Sequence, residues 1–185
     1  MSSKKYVLCV IANDAKTNDG QYTDVGRNFK LRADESWSWT ERSLLNVPIV
    51  WAFGAGTDEA HARGPTLGML AEAYLRTKDP SLVALTNRRD KEYYGTLEEI
   101  YWVVKKAQQT FKGEKLQFVF FTQRRHMWRV KIIWWLFYQK EFGNAMFVTT
   151  GQTSQLSLLH EIGGMLKVWR VYRGKEKPRY KMPYR

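Results

Sequence analysis

The segment Phe120–Lys140, FFTQRRHMWRVKIIWWLFYQK, packs an apolar run, a burst of cations and an aromatic run into one short stretch. Three readings compete for it. It is a basic and aromatic patch for nucleic acid, a membrane-seeking segment, or a strand-to-helix joint that presents a ligand site. If Leu116–Thr122 is a strand, Arg124, Arg125 and His126 fall where the next helix begins, with Thr122 or Gln123 as its cap. Val130, Trp134, Phe137 and Tyr138 then lie near one helical face, which Ile133 and Leu136 widen. The run Ile132–Tyr138 is far short of the ~20 residues that span a bilayer. A helix apolar nearly all round is buried against a sheet or used between subunits. Residues 125–141 therefore read as a buried helix body and a candidate oligomer contact, and the joint before them as the candidate site.

The rest of the chain repeats this pattern. Tyr6–Ala12, Pro48–Phe53, Leu82–Thr86, Leu116–Thr122 and Ala145–Thr149 are near-continuous apolar blocks, as in strands buried on both faces. Helical spacing separates them. Leu67, Leu70, Ala71, Tyr74 and Leu75 form one apolar face, and Leu97, Ile100, Tyr101, Val104 and Ala107 another. Residues 125–141 and 154–168 supply two more helices. This alternation predicts an α/β, three-layer Rossmann-like fold: a five-stranded, mainly parallel sheet flanked by helices, joined by right-handed crossovers. The segment Asp14–Ser43 fits less well. TNDGQYTDVG reads as a loop, and RNFKLRADESWSWTERSLL as a helix of imperfect period, because Trp37 and Trp39 cannot share one face. The organisation expected is a single domain over residues 1–172 and a basic tail over 173–185.

At 185 residues and 44% hydrophobic, the chain can bury a proper core and is not of a disordered composition. A formal charge of +12 favours anionic partners: nucleotides, phosphorylated metabolites, nucleic acid or a membrane surface. A single cysteine, Cys9, excludes an internal disulfide and a cysteine-rich metal site. It sits in the run YVLCVIA and reads as a small buried strand residue. MSSKKYVLCVIAND has too short an apolar stretch and no small-residue cleavage site, so it reads as a first strand rather than a signal peptide. The expectation is a cytoplasmic protein without a membrane span.

Open parallel sheets bind ligands at the carboxyl ends of their strands. That rule selects Asn13 and Asp14, then Gly54, Gly56, Asp58, Glu59 and His61, then Asn87, Arg88 and Arg89. Further candidates are Thr122, Gln123, Arg125 and His126 after the fourth strand, and Thr150, Gly151 and Gln152 after the fifth. Gly54-Ala55-Gly56 permits either a tight turn or a phosphate cradle, but it lacks the third glycine of a dinucleotide fingerprint and the lysine of a P-loop. Asp14, Asp58 and His61 would serve a metal-dependent phosphoester hydrolase, although their spacing matches no closed metal site. Thr122, Arg125, His126 and Arg129 form the strongest cluster. Cations at a helix N-terminus oppose its dipole by about 0.3–1 kcal/mol each, a cost that a bound anion offsets. An arginine there grips an oxyanion, and His126 donates a hydrogen bond or moves a proton near neutral pH. His160-Glu161, deep in the last helix, reads as a surface or packed pair.

In order and spacing these pieces resemble the YdcF/SanA-like family of Rossmann-like proteins from about Tyr6 to Gly151. FGAG stands for the family's glycine turn, AEAYL with Tyr74 and Leu75 for its helix end, and Gly95-Thr96 before LEEI for its Asn-Thr motif. TQRRHMWR supplies Thr122, His126 and Arg129 at the family's spacing. Thr66-Leu67-Gly68 replaces the family's Ser-Glu-Ala, losing its acid, and Gly95 replaces its Asn. Family members are associated with the bacterial envelope or bind S-adenosylmethionine. The resemblance thus implies a nucleotide-like, S-adenosylmethionine or phosphorylated ligand, with Thr96 among the residues that hold it. The reading favoured is binding of a small anionic molecule, with His126 and Arg129 as candidate catalytic groups of a transferase or hydrolase. The alternatives are a nucleic-acid-binding module and the metal-dependent hydrolase.

Overall fold

The computed structural model describes residues 4–11, 15–18, 21–44, 46–56, 64–88, 95–150 and 158–174. The chain runs β1 (Lys5–Val10), β2 (Ala15–Asn18), β3 (Gln21–Val25), α1 (Arg27–Ser43), β4 (Ile49–Phe53), α2 (Leu67–Arg76) and β5 (Ala84–Thr86). It continues with α3 (Thr96–Thr110), β6 (Leu116–Thr122), α4 (Arg124–Phe137), α5 (Gln139–Phe142), β7 (Met146–Thr149) and α6 (Leu158–Tyr172).

The five apolar blocks pair in the order β5-β4-β1-β6-β7, and every pairing is parallel. β1 is central, with Cys9 opposite Ala52 on one side and Phe120 on the other. Alternation along the strands divides the core in two. Val7, Cys9, Ala52, Phe118 and Phe120 meet α3 and α4, while Leu8, Val10, Phe53 and Phe121 meet α1 and α2. This is the three-layer, Rossmann-like arrangement expected, and its sheet is wholly parallel. Cys9 is fully buried, and burial, then the charge of Glu99, pushes its thiol well above the usual value. Among the described residues, no helix is long and apolar enough to cross a membrane.

Two segments differ from expectation. The segment read as a loop overlaps an antiparallel hairpin, β2–β3, in which Asn18 pairs with Gln21. Asp-Gly is a preferred two-residue hairpin connection, so the signal was in the sequence. In α1, Trp37 and Trp39 flank a central stripe of Phe29, Arg32, Ala33, Ser36 and Thr40. Each tryptophan then reaches down one side, Trp37 stacking on Trp51 at 5.8 Å and Trp39 meeting Phe121 edge-on at 5.4 Å. The two rings straddle β1, and they never needed a shared face.

The aromatic run departs in a third way. Its helix stops at Phe137, and after Tyr138 a separate turn, α5, follows. Val130, Ile133, Trp134 and Tyr138 are buried, and Trp134 packs on Phe118 and Phe120 at 5.1 and 5.4 Å. Trp128 and Trp135 are exposed on the opposite side. The run is therefore buried on its sheet side alone.

Candidate functional site

β1 leads to α1 on one face of the sheet, and β6 leads to α4 on the other. The chain therefore diverges between the carboxyl ends of these neighbouring strands, the place where such sheets form a crevice. α4 begins there, with Gln123 as N-cap and no side-chain cap. Its first turn holds no acid. His126 is almost completely buried, whereas Arg124 and Arg125 are exposed.

His126 joins two other helices. Its Nε2 lies 2.9 Å from Thr96 Oγ1, at the start of α3. Its Nδ1 lies 3.1 Å from Glu161 Oε1, one turn into α6. The other carboxylate oxygen of Glu161 is 3.1 Å from Nη2 of Arg129. An ionised carboxylate accepts only, so Glu161 fixes the ring proton on Nδ1. Nε2 is then the acceptor for the Thr96 hydroxyl. The order hydroxyl, imidazole, carboxylate is that of a general-base relay.

The guanidinium of Arg129 lies against Gly164, where an added Cβ would collide with it. Gly164 is thus the space Arg129 occupies. Arg129 orients Glu161 in this arrangement, a different task from gripping a ligand in the open.

Burial is the main influence on His126 and lowers its pKa below the ordinary 6.5, with Arg129 and Arg32 acting in the same direction and Glu161 opposing. Arg32, fully buried in α1, donates to the Ile11 carbonyl at the end of β1. Neutral imidazole is therefore the resting form near pH 7. The unfolded chain takes up the proton more readily between the two pKa values. His126's contribution to stability is accordingly whole above pH 6.5 and is lost as the pH falls through 6.5 towards the folded value. An NMR titration of the three histidines should give His126, assigned through His126→Gln, a midpoint below 6.5. A midpoint above 6.5 would mean that Glu161 outweighs burial.

Other residues selected from the sequence have different places. Thr122, fully buried, shares the α3/α4 face with Phe118 and Phe120 by alternation, and its hydroxyl has no hydrogen-bond partner. Thr150 is joined to β6 by its N–H on the Thr122 carbonyl. It lines a cleft of about 370 Å³ with Asp34, Glu35, Ser38, Trp39 and Arg42, on the α1 side of the sheet.

Gly54 packs against α3, and the carbonyls of Ala55 and Gly56 accept from Gly68 and Leu67 at the start of α2. Thr66 Oγ1 takes Met69 N–H. The first turn of α2 is thereby satisfied by protein groups, and the glycine turn offers it carbonyls. Asn87, also buried, donates to the Gly54 carbonyl and braces this turn. Arg88 pairs with the buried Glu72. Asn13, Asp14, Asp58, Glu59, His61, Arg89, Gly151 and Gln152 lie outside the described residues. Among the described residues, no group of three or more His, Cys, Asp or Glu side chains could hold a metal.

Glu161 and Arg32 are the members that sequence reasoning missed. In sequence, Glu161 reads as half of a surface or packed pair with His160. The available signal was its isolation, since it is the sole acid between Leu158 and Tyr172. Arg32 was visible as a cation inside the buried stripe of α1.

Comparison with protein-family models, curated proteins and solved structures returns no match for this chain.

Proposed function

We propose that this chain is an enzyme of the hydrolase or transferase type that binds a small anionic molecule at the carboxyl edge of its sheet. The ligand classes are a nucleotide, S-adenosylmethionine or a phosphorylated metabolite. The observation that carries the reading is the line Thr96–His126–Glu161, because a buried neutral imidazole between a hydroxyl and a carboxylate is poised to accept a proton. The uncapped, acid-free start of α4 and the unpartnered hydroxyl of Thr122 favour an anion beside it. The reading accords with the resemblance to the YdcF/SanA-like family. It places the protein in the cytoplasm, where such ligands are made and used.

The test is a thermal-shift screen of nucleotides, S-adenosylmethionine and sugar phosphates, followed by turnover measurements on whatever binds. A ligand at about 100 times its dissociation constant should stabilise the wild type by ~2.7 kcal/mol. His126→Gln and Thr96→Val should abolish turnover or cut it by at least about 100-fold, the usual contribution of a positioned acid/base. Absence of any stabilising ligand, or undiminished turnover in both variants, would overturn the proposal.

A further inference from the structure

Helix α6 has two unlike faces. Glu161, Val168 and Val171 face the protein and are buried. Outward, Leu158, Leu159, Ile162, Leu166 and Trp169 recur along the helix and are exposed, Leu159 by 79% and Leu166 by 56%, while the half-exposed Tyr172 meets Phe137 of α4 edge-on at 5.7 Å. Beside this stripe stand the exposed cations Lys167, Arg170 and Arg173, with Arg173 over the Trp169 ring at 5.0 Å. Glu161 is the only acid of the helix and is buried, so no acid stands among the exposed residues described on α6. On α4, which packs against α6, Trp128 and Trp135 are exposed two turns apart, and Lys131 Nζ lies 5.6 Å from the Trp128 ring.

We infer that α6 docks on an anionic lipid surface, lying in the plane of the headgroups with its apolar stripe in the acyl boundary. Charge complementarity selects this occupant. A bilayer with anionic lipids offers apolar chains and negative headgroups together, and helices that bind it combine Leu and Trp on one side with Lys and Arg on the other. A second copy would bring a second set of these cations to the contact and no acid of α6 to answer them. Nucleic acid would answer the cations and the aromatic rings, but it has no use for four exposed aliphatic side chains.

The experiment is flotation of the full chain with phosphatidylcholine vesicles, with and without phosphatidylserine, at low and high salt. The wild type should float with the phosphatidylserine vesicles and lose most of that binding in high salt or on phosphatidylcholine alone. Leu159→Glu/Leu166→Glu alters exposed positions only and should bind at least about tenfold more weakly while melting as the wild type does. Lys167→Glu/Arg170→Glu should remove the preference for phosphatidylserine. Failure of the wild type to float would overturn the inference, as would equal flotation of Leu159→Glu/Leu166→Glu. A wild-type dimer that this variant converts to monomer, without vesicle binding, would assign the face to a second copy. Oligonucleotide binding without vesicle binding would assign it to nucleic acid.

Discussion

Glu161→Ala should lower the free energy of unfolding by about 3–5 kcal/mol, the cost of removing one partner from a buried ion pair. The carboxylate is 2% exposed and the Arg129 side chain 12%, so water does little to screen the loss. The substitution also takes the acceptor from His126 Nδ1, leaving a buried ring N–H without the oxygen that orients it. Against a typical total of about 5–15 kcal/mol, this is a large fraction. Urea unfolding followed by circular dichroism measures it. Glu161→Gln keeps the volume and an oxygen for Nδ1–H but not the charge opposite Arg129, and it should fall between. Adding Arg129→Met to Glu161→Gln should recover part of the loss, since the two side chains are coupled. A Glu161→Ala protein within about 1 kcal/mol of the wild type would show that the pair is not structural.

Gly54→Ala, just past the end of β4, should be costly for a single methyl group. Its Cβ would stand 2.5 Å from the Glu99 carbonyl oxygen and 2.9 Å from Val103 Cγ2. The first of these atoms is backbone in α3, so relief requires the helix to move. Overpacking of this kind costs about 1–3 kcal/mol, and Gly54→Val should exceed it. Because α3 begins at Thr96, the same displacement should lengthen the hydroxyl–imidazole contact. The His126 resonance should therefore shift in Gly54→Ala together with the unfolding midpoint. An alanine variant as stable as the wild type, with His126 unmoved, would refute this account of the glycine.

These two positions show where the sequence was legible. Strands buried on both faces advertise themselves, so Leu116–Thr122 and its four companions could be placed from composition alone. Thr122 and His126 followed, because the end of a strand and the start of a helix are local properties. Glu161 is separated from His126 by 35 residues, and no local pattern says that α6 turns its one acid inward. Gly54 is open in the sequence for a related reason. A glycine after a strand can serve a ligand or a neighbouring helix, and only the approach of α3 decides between them. The tryptophans of α1 misled because one helical face was assumed to do the packing. In the folded chain, a central buried stripe is flanked by a tryptophan on each side.

The pairing of β1 has a consequence for how the molecule is made. Its partners are β4 and β6, and β6 is translated long after it, with Lys5 finally opposite Leu116. Until then one edge of Tyr6–Val10 has no strand beside it, and such an apolar edge is an invitation to another chain. Sheets assembled from such distant segments close late and slowly. The period between synthesis of β4 and of β6 is therefore when this protein is most exposed to aggregation, and when a chaperone would have most to protect.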